Sequence, residues 1–327
     1  MPPMMKFHRI AIASLVLCWT PFTLSIAWSE PPAPLAANAG RGDAEAQFQL
    51  ARAHLNGKGV AKDSGKAFEW MMKAAEQGHA EALGGVGYFY ANGVAVEKDE
   101  ARAVEWFRKG AEKGGPRSQF NLGRMLVDGK GAAKDEEKGR EWMRKSADQG
   151  VTEAIFALGK MYYSGEFGVA KDLERAYPLL RQAAEQDHLD AQNMIGVMLC
   201  DGLSVPRDQA EGMKWYRKAA LEGHVKAQSN LGRMLGPTNR RPEKDPAERI
   251  EALSWLMVAA KQGDVMATKV MEDALPSADE KELSEARKKA AEIRNTLNSQ
   301  AATRKLFPAK QIPSSNESES GDERSAD

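Results

Sequence analysis

The chain has 327 residues, 46 basic against 46 acidic side chains, 42% hydrophobic content and two cysteines. Balanced charge excludes a nucleic-acid or anionic-membrane partner gripped over the whole surface, because such binding needs a net basic footprint. Two cysteines exclude a disulfide framework, and the length is about twice that of one compact domain, which leaves two domains or one extended array.

Residues 1–27 read as an export signal. Lys6, His8 and Arg9 precede an apolar run from Ile10 to Leu17, and Ser25, Ile26 and Ala27 fit a small-residue cleavage site. The alternative is an uncleaved anchor, which Thr20, Pro21, Thr23 and Ser25 disfavour by interrupting the stretch. Cleavage predicts a periplasmic or secreted chain with no membrane span and with Cys200 as its one thiol. Residues 28–41, proline-rich from Glu30 to Pro34, read as a linker.

From residue 42 the chain repeats itself. Tryptophan recurs at Trp70, Trp106, Trp142, Trp215 and Trp255, with Leu179 filling the one gap in the series. Other columns keep the same step. Glycine closes a first helix at Gly57, Gly93, Gly129, Gly165 and Gly202, and aspartate opens a second at Asp63, Asp99, Asp135, Asp172 and Asp208. A small residue sits inside the first helix at Ala51, Gly87, Gly123, Gly159, Gly196 and Gly232. Each unit therefore reads as helix A, a glycine turn, helix B and a terminator. The aspartate suits an N-cap, the terminator a left-handed C-terminal residue, and the small residue a close approach of helices. Six units start at Gly42, Gly78, Gly114, Gly150, Asp187 and Gly223. Neither helix alone buries its apolar face, so the units must stack.

Repeat four has one extra turn residue within Ser164–Gly168, and repeat six an insertion at 236–246 whose three prolines forbid a continuous helix. A partial seventh unit begins at Gly263 and breaks off at Pro276, so the array spans 42–275. Ser277 and Glu280 then form a capping-box pattern for a polar helix rich in Lys, Glu, Arg and Ala. This segment, 276–305, reads as the capping helix that keeps a solenoid soluble, and 306–327 as a disordered tail.

The stretch Gly129 to Asp135 and the stretch Trp215 to His224 resemble the Sel1-like repeat, a relative of the tetratricopeptide repeat. The resemblance covers about residues 42–275 and implies an all-α, right-handed α-solenoid of helix–turn–helix repeats with a C-terminal capping helix. Members act as adaptors in periplasmic signalling, cell-envelope organisation and host interaction. The resemblance therefore implies an exported adaptor holding a protein or peptide, such as a membrane sensor kinase. The alternative is a cell-wall-active protein that binds or hydrolyses peptidoglycan or a β-lactam, as in a cysteine-rich subgroup whose cysteines this chain lacks.

The chemistry-bearing residues follow the repeat. The tryptophan column reads as packing of each helix B against the following repeat, not as a ligand-stacking ladder. His79, His188 and His224 share one column, and equivalent positions in stacked helices lie about 8–10 Å apart, too far to share one metal. No nucleophile elbow, zinc-helix motif or phosphate loop occurs, so no cofactor, metal or catalytic residue is assigned. What remains is a surface. By the tetratricopeptide resemblance, the exposed side of helix A lines a concave groove, which assigns Gln49, Arg52, Tyr88, Asn121, Arg124, Lys160, Asn230 and Arg233 to protein binding. Their cations and amides suit an extended or acidic peptide.

Overall fold

A computed structural model describes residues 33–236, 245–275 and 278–306. The export signal, most of the 236–246 insertion, Ser277 and the tail lie outside the described residues. Within them every regular element is a helix. Six A helices are α2 (Ala44–Asn56), α4 (Ala80–Asn92), α6 (Pro116–Asp128), α8 (Thr152–Ser164), α10 (Leu189–Asp201) and α12 (Val225–Leu235). They alternate with six B helices, α3 (Ser64–Glu76), α5 (Glu100–Glu112), α7 (Glu136–Asp148), α9 (Leu173–Glu185), α11 (Gln209–Leu221) and α13 (Pro246–Lys261). Helix α1 (Ala33–Gly40) precedes the array, and α14 (Val265–Ala274) and α15 (Glu280–Leu306) follow it. Each A helix packs on its own B helix and on the B helix before it. The result is an all-α repeat solenoid with a C-terminal helix.

The caps are those the columns predict. Asp63, Asp99, Asp135, Asp172 and Asp208 each accept a hydrogen bond from the backbone N–H three residues on, at 2.9–3.0 Å. Gly57, Gly93, Gly129, Gly165 and Gly202 close the A helices in the left-handed region. Asp187 takes the equivalent conformation between repeats four and five at φ 64°, where the other units have glycine, and its carboxylate meets Lys218 at 2.7 Å.

The tryptophans sit at the seams between repeats. Trp106 lies on the cluster of repeats one and two, Trp142 on that of repeats two and three, and Trp215 on that of repeats four and five. Each of these clusters joins the tryptophan's own repeat to the one before it, while Trp70 borders the cluster it shares with the following repeat as well as that of α1. Trp70, Trp106, Trp142 and Trp215 are only half-buried, and the lysine three residues on covers each ring at 4.0–5.5 Å. The fully buried spine is the next column, Met71, Phe107, Met143, Leu180, Tyr216 and Leu256, each at most 3% exposed. One residue is about 100° around a helix, which separates a side chain on the seam from one aimed into it.

The small residue of helix A exists for that spine. A β-carbon on Gly87 would meet Phe107 at 2.7 Å, on Gly123 would meet Met143 at 2.8 Å, and on Gly196 would meet Tyr216 at 2.6 Å. Glycine is required because backbone and spine side chain touch.

A buried glutamine bolt joins the repeats. Gln47, Gln119, Gln192 and Gln228 donate to carbonyls near the end of the preceding helix, at Ala39, Ala111, Ala184 and Ala220, over 3.1–3.3 Å. Gln77, Gln149 and Gln262, each just past its own repeat's B helix, then donate to Gln47, Gln119 and Gln228 at 2.7–2.8 Å. For Gln47 the acceptor is on α1. That helix occupies the place of a preceding B helix, with Ala39 buried against Ala46 and Leu50. Residues 33–40, within the segment read as a linker, are helical and packed on the array; proline at the first turn is compatible with a helix start.

At the other end α15 lies along α13, where Ser254 donates to the Ala286 carbonyl at 3.2 Å and the Arg249 guanidinium pairs with buried Glu282. Its capping box is two residues later than the sequence pattern placed it. Asp279 accepts from the Glu282 N–H at 2.8 Å, Glu282 accepts from the Asp279 N–H at 3.4 Å, and Glu280 is the first helical residue. The helix also runs on to Leu306.

Candidate protein-binding face

The exposed side of the A helices is built from positions three and four residues apart, which share a helix face. One column holds Gln49, Gly85, Asn121, Ala157, Met194 and Asn230. The next holds Arg52, Tyr88, Arg124, Lys160, Val197 and Arg233. Tyr88 is 45% exposed, Arg124, Lys160 and Arg233 are exposed, and Gln49, Arg52, Asn121 and Asn230 are half-buried. All eight predicted residues therefore lie at registered positions on solvated helix surface.

Within this face the structure joins some of them directly. Arg52 donates to Gln49 at 3.3 Å while Gln49 donates to Glu45 at 2.5 Å. Arg233 donates to Asn230 at 3.3 Å, and Asn230 donates to Asn193 of the neighbouring A helix at 2.9 Å. Arg52 and Arg124 also lie over the rings of Phe48 and Phe120, at 5.6 and 6.0 Å. Arg124, Lys160 and Arg233 have no carboxylate within ion-pair distance among the described residues. Many cations elsewhere are paired, including Lys98, Lys134, Arg175 and Arg217.

The sequence reasoning passed over three residues here. Arg117 is half-buried; burial depresses its pKa, Glu153 opposes that, and Arg52 adds like-charge repulsion. Met194 and Val197 are the repeat-five members of the two columns, and they place half-buried apolar surface where the other units have polar or small groups or Tyr88. The signal was available, since both follow from counting the repeat step, but a search for polar side chains discards them.

The histidine column is structural. The Nδ1 atoms of His79, His188 and His224 accept from the N–H groups of Ala82, Ala191 and Ala227 at 3.1–3.3 Å, capping α4, α10 and α12. With Nδ1 accepting, Nε2 carries the proton, and in two cases it donates to the preceding repeat, to Glu45 at 2.8 Å and Asp190 at 3.1 Å. Burial holds the His188 imidazole below its ordinary pKa against the pull of Asp190 and Glu153. Among the described residues no three His, Cys, Asp or Glu side chains converge as a metal site. Cys200 is buried, and burial with help from Asp201 pushes its thiol to about 11, so it is a poor nucleophile. A cleft of about 300 Å³ opens beside Arg233, between α12, α13, α14 and the start of α15. No helix among the described residues is long and apolar enough to cross a membrane.

The comparisons with known proteins agree with this architecture. The Sel1 repeat model matches six times, at residues 44–79, 80–115, 116–151, 152–188, 189–224 and 225–264. A Sel1 repeat protein from Oxalobacter formigenes shares 29% identity at a TM-score of 0.61, covering 68% of this chain and 89% of its own. The protein c5321, a protective antigen of uropathogenic Escherichia coli with an SLR fold, shares 27% identity at a TM-score of 0.47, covering 84% of this chain and 65% of its own. None of the curated proteins compared with the chain matches it. Six consecutive matches span more than half of the sequence, and the chain belongs to the Sel1 repeat family.

Proposed function

We propose that the chain is a protein-binding adaptor that uses the exposed A-helix side of its solenoid as a concave groove. The observation that carries this reading is a division of labour among the columns. The capping positions repeat the same residues and the spine stays buried and apolar in every unit, whereas positions 49 and 52 and their equivalents change in character, from amide to glycine, alanine or methionine and from cation to tyrosine or valine. Packing demands sameness, and selective recognition demands difference. Arg52, Arg124, Lys160 and Arg233 supply donors for carboxylates, Gln49, Asn121 and Asn230 supply amides for a peptide backbone, and Tyr88 supplies a rigid contact with a polar tip. Catalysis has no support in this arrangement, because no activated nucleophile or acid–base pair occupies the face.

The N-terminal pattern supports a site of action in the periplasm or outside the cell, where the periplasmic region of a membrane signalling protein such as a sensor kinase is the fitting partner. Affinity capture from envelope extract tests the reading. The native chain retains a defined partner, and the triple variant Arg52→Glu, Arg124→Glu and Arg233→Glu loses it while melting at the same temperature. Unchanged recovery by the folded triple variant would falsify the groove assignment.

A further inference from the structure

From repeat three to repeat six the A-helix face is a row of cations with one interruption, and the order of the row has consequences for what can lie along it. Arg124 in repeat three, Lys160 in repeat four and Arg233 in repeat six occupy one column and have no carboxylate partner among the described residues. Val197 takes that position in repeat five, with Met194 one turn before it, both half-buried and neither covered completely. Acidic side chains also border the column, but several are engaged in the fold. Glu45 holds His79 at 2.8 Å, Asp190 holds His224 at 3.1 Å, and Asp128 holds Lys130 at 3.0 Å. Arg124, Lys160 and Arg233 make no such pairing among the described residues.

Spacing sets the register. Neighbouring packed helices lie about 8–10 Å apart, and an extended chain advances about 3.3 Å per residue, so about three residues pass each repeat. The hydrogen bond from Asn230 to Asn193 shows that these two A helices adjoin at the face. Building on the adaptor reading, we propose that this face takes one extended peptide whose acidic side chains recur at about every third residue and whose single apolar side chain lies opposite Met194 and Val197. The carboxylates pair with Arg124, Lys160 and Arg233, and the apolar group covers the step between the last two. A partner with contiguous acidic residues satisfies one cation and leaves the others unpaired, so the face discriminates by spacing and not by net charge.

Fluorescence anisotropy with synthetic peptides on the whole chain tests this. The matched peptide carries glutamate at positions one, four and ten and leucine at position seven in a Gly/Ser background; its reversed sequence covers the other chain direction. The control has the same composition with its glutamates contiguous. We expect one matched peptide to bind about tenfold more tightly than the control. Val197→Ser should weaken that peptide about fivefold and leave unchanged its analogue with serine at position seven, while Lys160→Glu weakens both. Melting curves verify that both variants are folded. Equal binding of matched and control peptides, insensitivity to Val197→Ser, or no binding at millimolar concentration overturns the register. Failure here with capture still abolished by the triple charge reversal removes only the register; intact capture by the triple variant removes the adaptor reading itself.

Discussion

Gly196 and Tyr216 are in contact through the backbone of one and the ring of the other, so that a β-carbon on Gly196 would stand 2.6 Å from the ring. Tyr216 is 1% exposed and sits in the buried cluster that includes Cys200, Ala219 and Leu231, so the ring has little room to retreat. Gly196→Ala should therefore destabilise the chain by about 1–3 kcal/mol, measured by denaturant unfolding. Repeat one has alanine at this position, and Ala51→Gly should cost at most about 1 kcal/mol through helix propensity. Equal losses at the two sites would mean that the glycine column has no steric role.

The spine and the tryptophan ladder separate by mutation. Met143→Ala removes a side chain that is 2% exposed and should cost about 2–5 kcal/mol. Complete burial of the tryptophan, as the sequence pattern implies, would cost about 3–5 kcal/mol on truncation. Trp142 is half-buried under Lys145 at 4.2 Å, so Trp142→Ala should cost about 2–3 kcal/mol, below that range. Thermal melts of the two variants check the order, and a larger loss for Trp142→Ala would restore the tryptophans as the principal packing column.

The glutamine bolts predict a polar penalty inside a helical seam. Gln119→Leu fits sterically, since Leu83 fills the same position in repeat two, but it removes the bonds to the Ala111 carbonyl and from Gln149, which keep the Gly114 N–H and the Lys145 carbonyl as their other partners. The expected cost is about 0.5–1.5 kcal/mol despite the added hydrophobicity. A neutral or stabilising result would show that water replaces the bolt.

The His188 cap makes stability depend on pH. Burial keeps the folded imidazole below the ordinary value of 6.5, so the unfolded chain binds more protons as the pH falls through that range. Its contribution is complete above 6.5 and is lost below it, down to the folded pKa. His188→Asn keeps a capping side chain and removes the titration. The difference in melting temperature between native and variant chains should grow less favourable to the native chain below pH 6.5; parallel curves between pH 5 and 8 would contradict the assignment.

Much of this architecture is written in residues whose chemistry permits one role. The capping aspartates and the left-handed glycines recur because backbone geometry requires them, and the repeat step, six units and terminal helix all follow. The remainder was hidden where one pattern admits two placements. Ser277 with Glu280 and Asp279 with Glu282 both satisfy a capping box, and the second forms. The glutamine column is masked because Leu83 and Ile155 interrupt it. Tryptophan is conspicuous in the sequence, while the varied Met, Phe, Leu and Tyr residues beside it form the spine. The binding face was legible as a set of positions, but its apolar step at Met194 and Val197 was not, because valine and methionine on a helix read as core.

The claim that a partner lies on the A-helix face is tested most directly by placing a photo-crosslinking amino acid at Lys160 on that face and, separately, at Arg144 on helix α7. Irradiation of each folded chain in envelope extract should give one defined adduct from Lys160 and none from Arg144. Adducts from Arg144 with none from Lys160 would contradict the account and place recognition on the B helices.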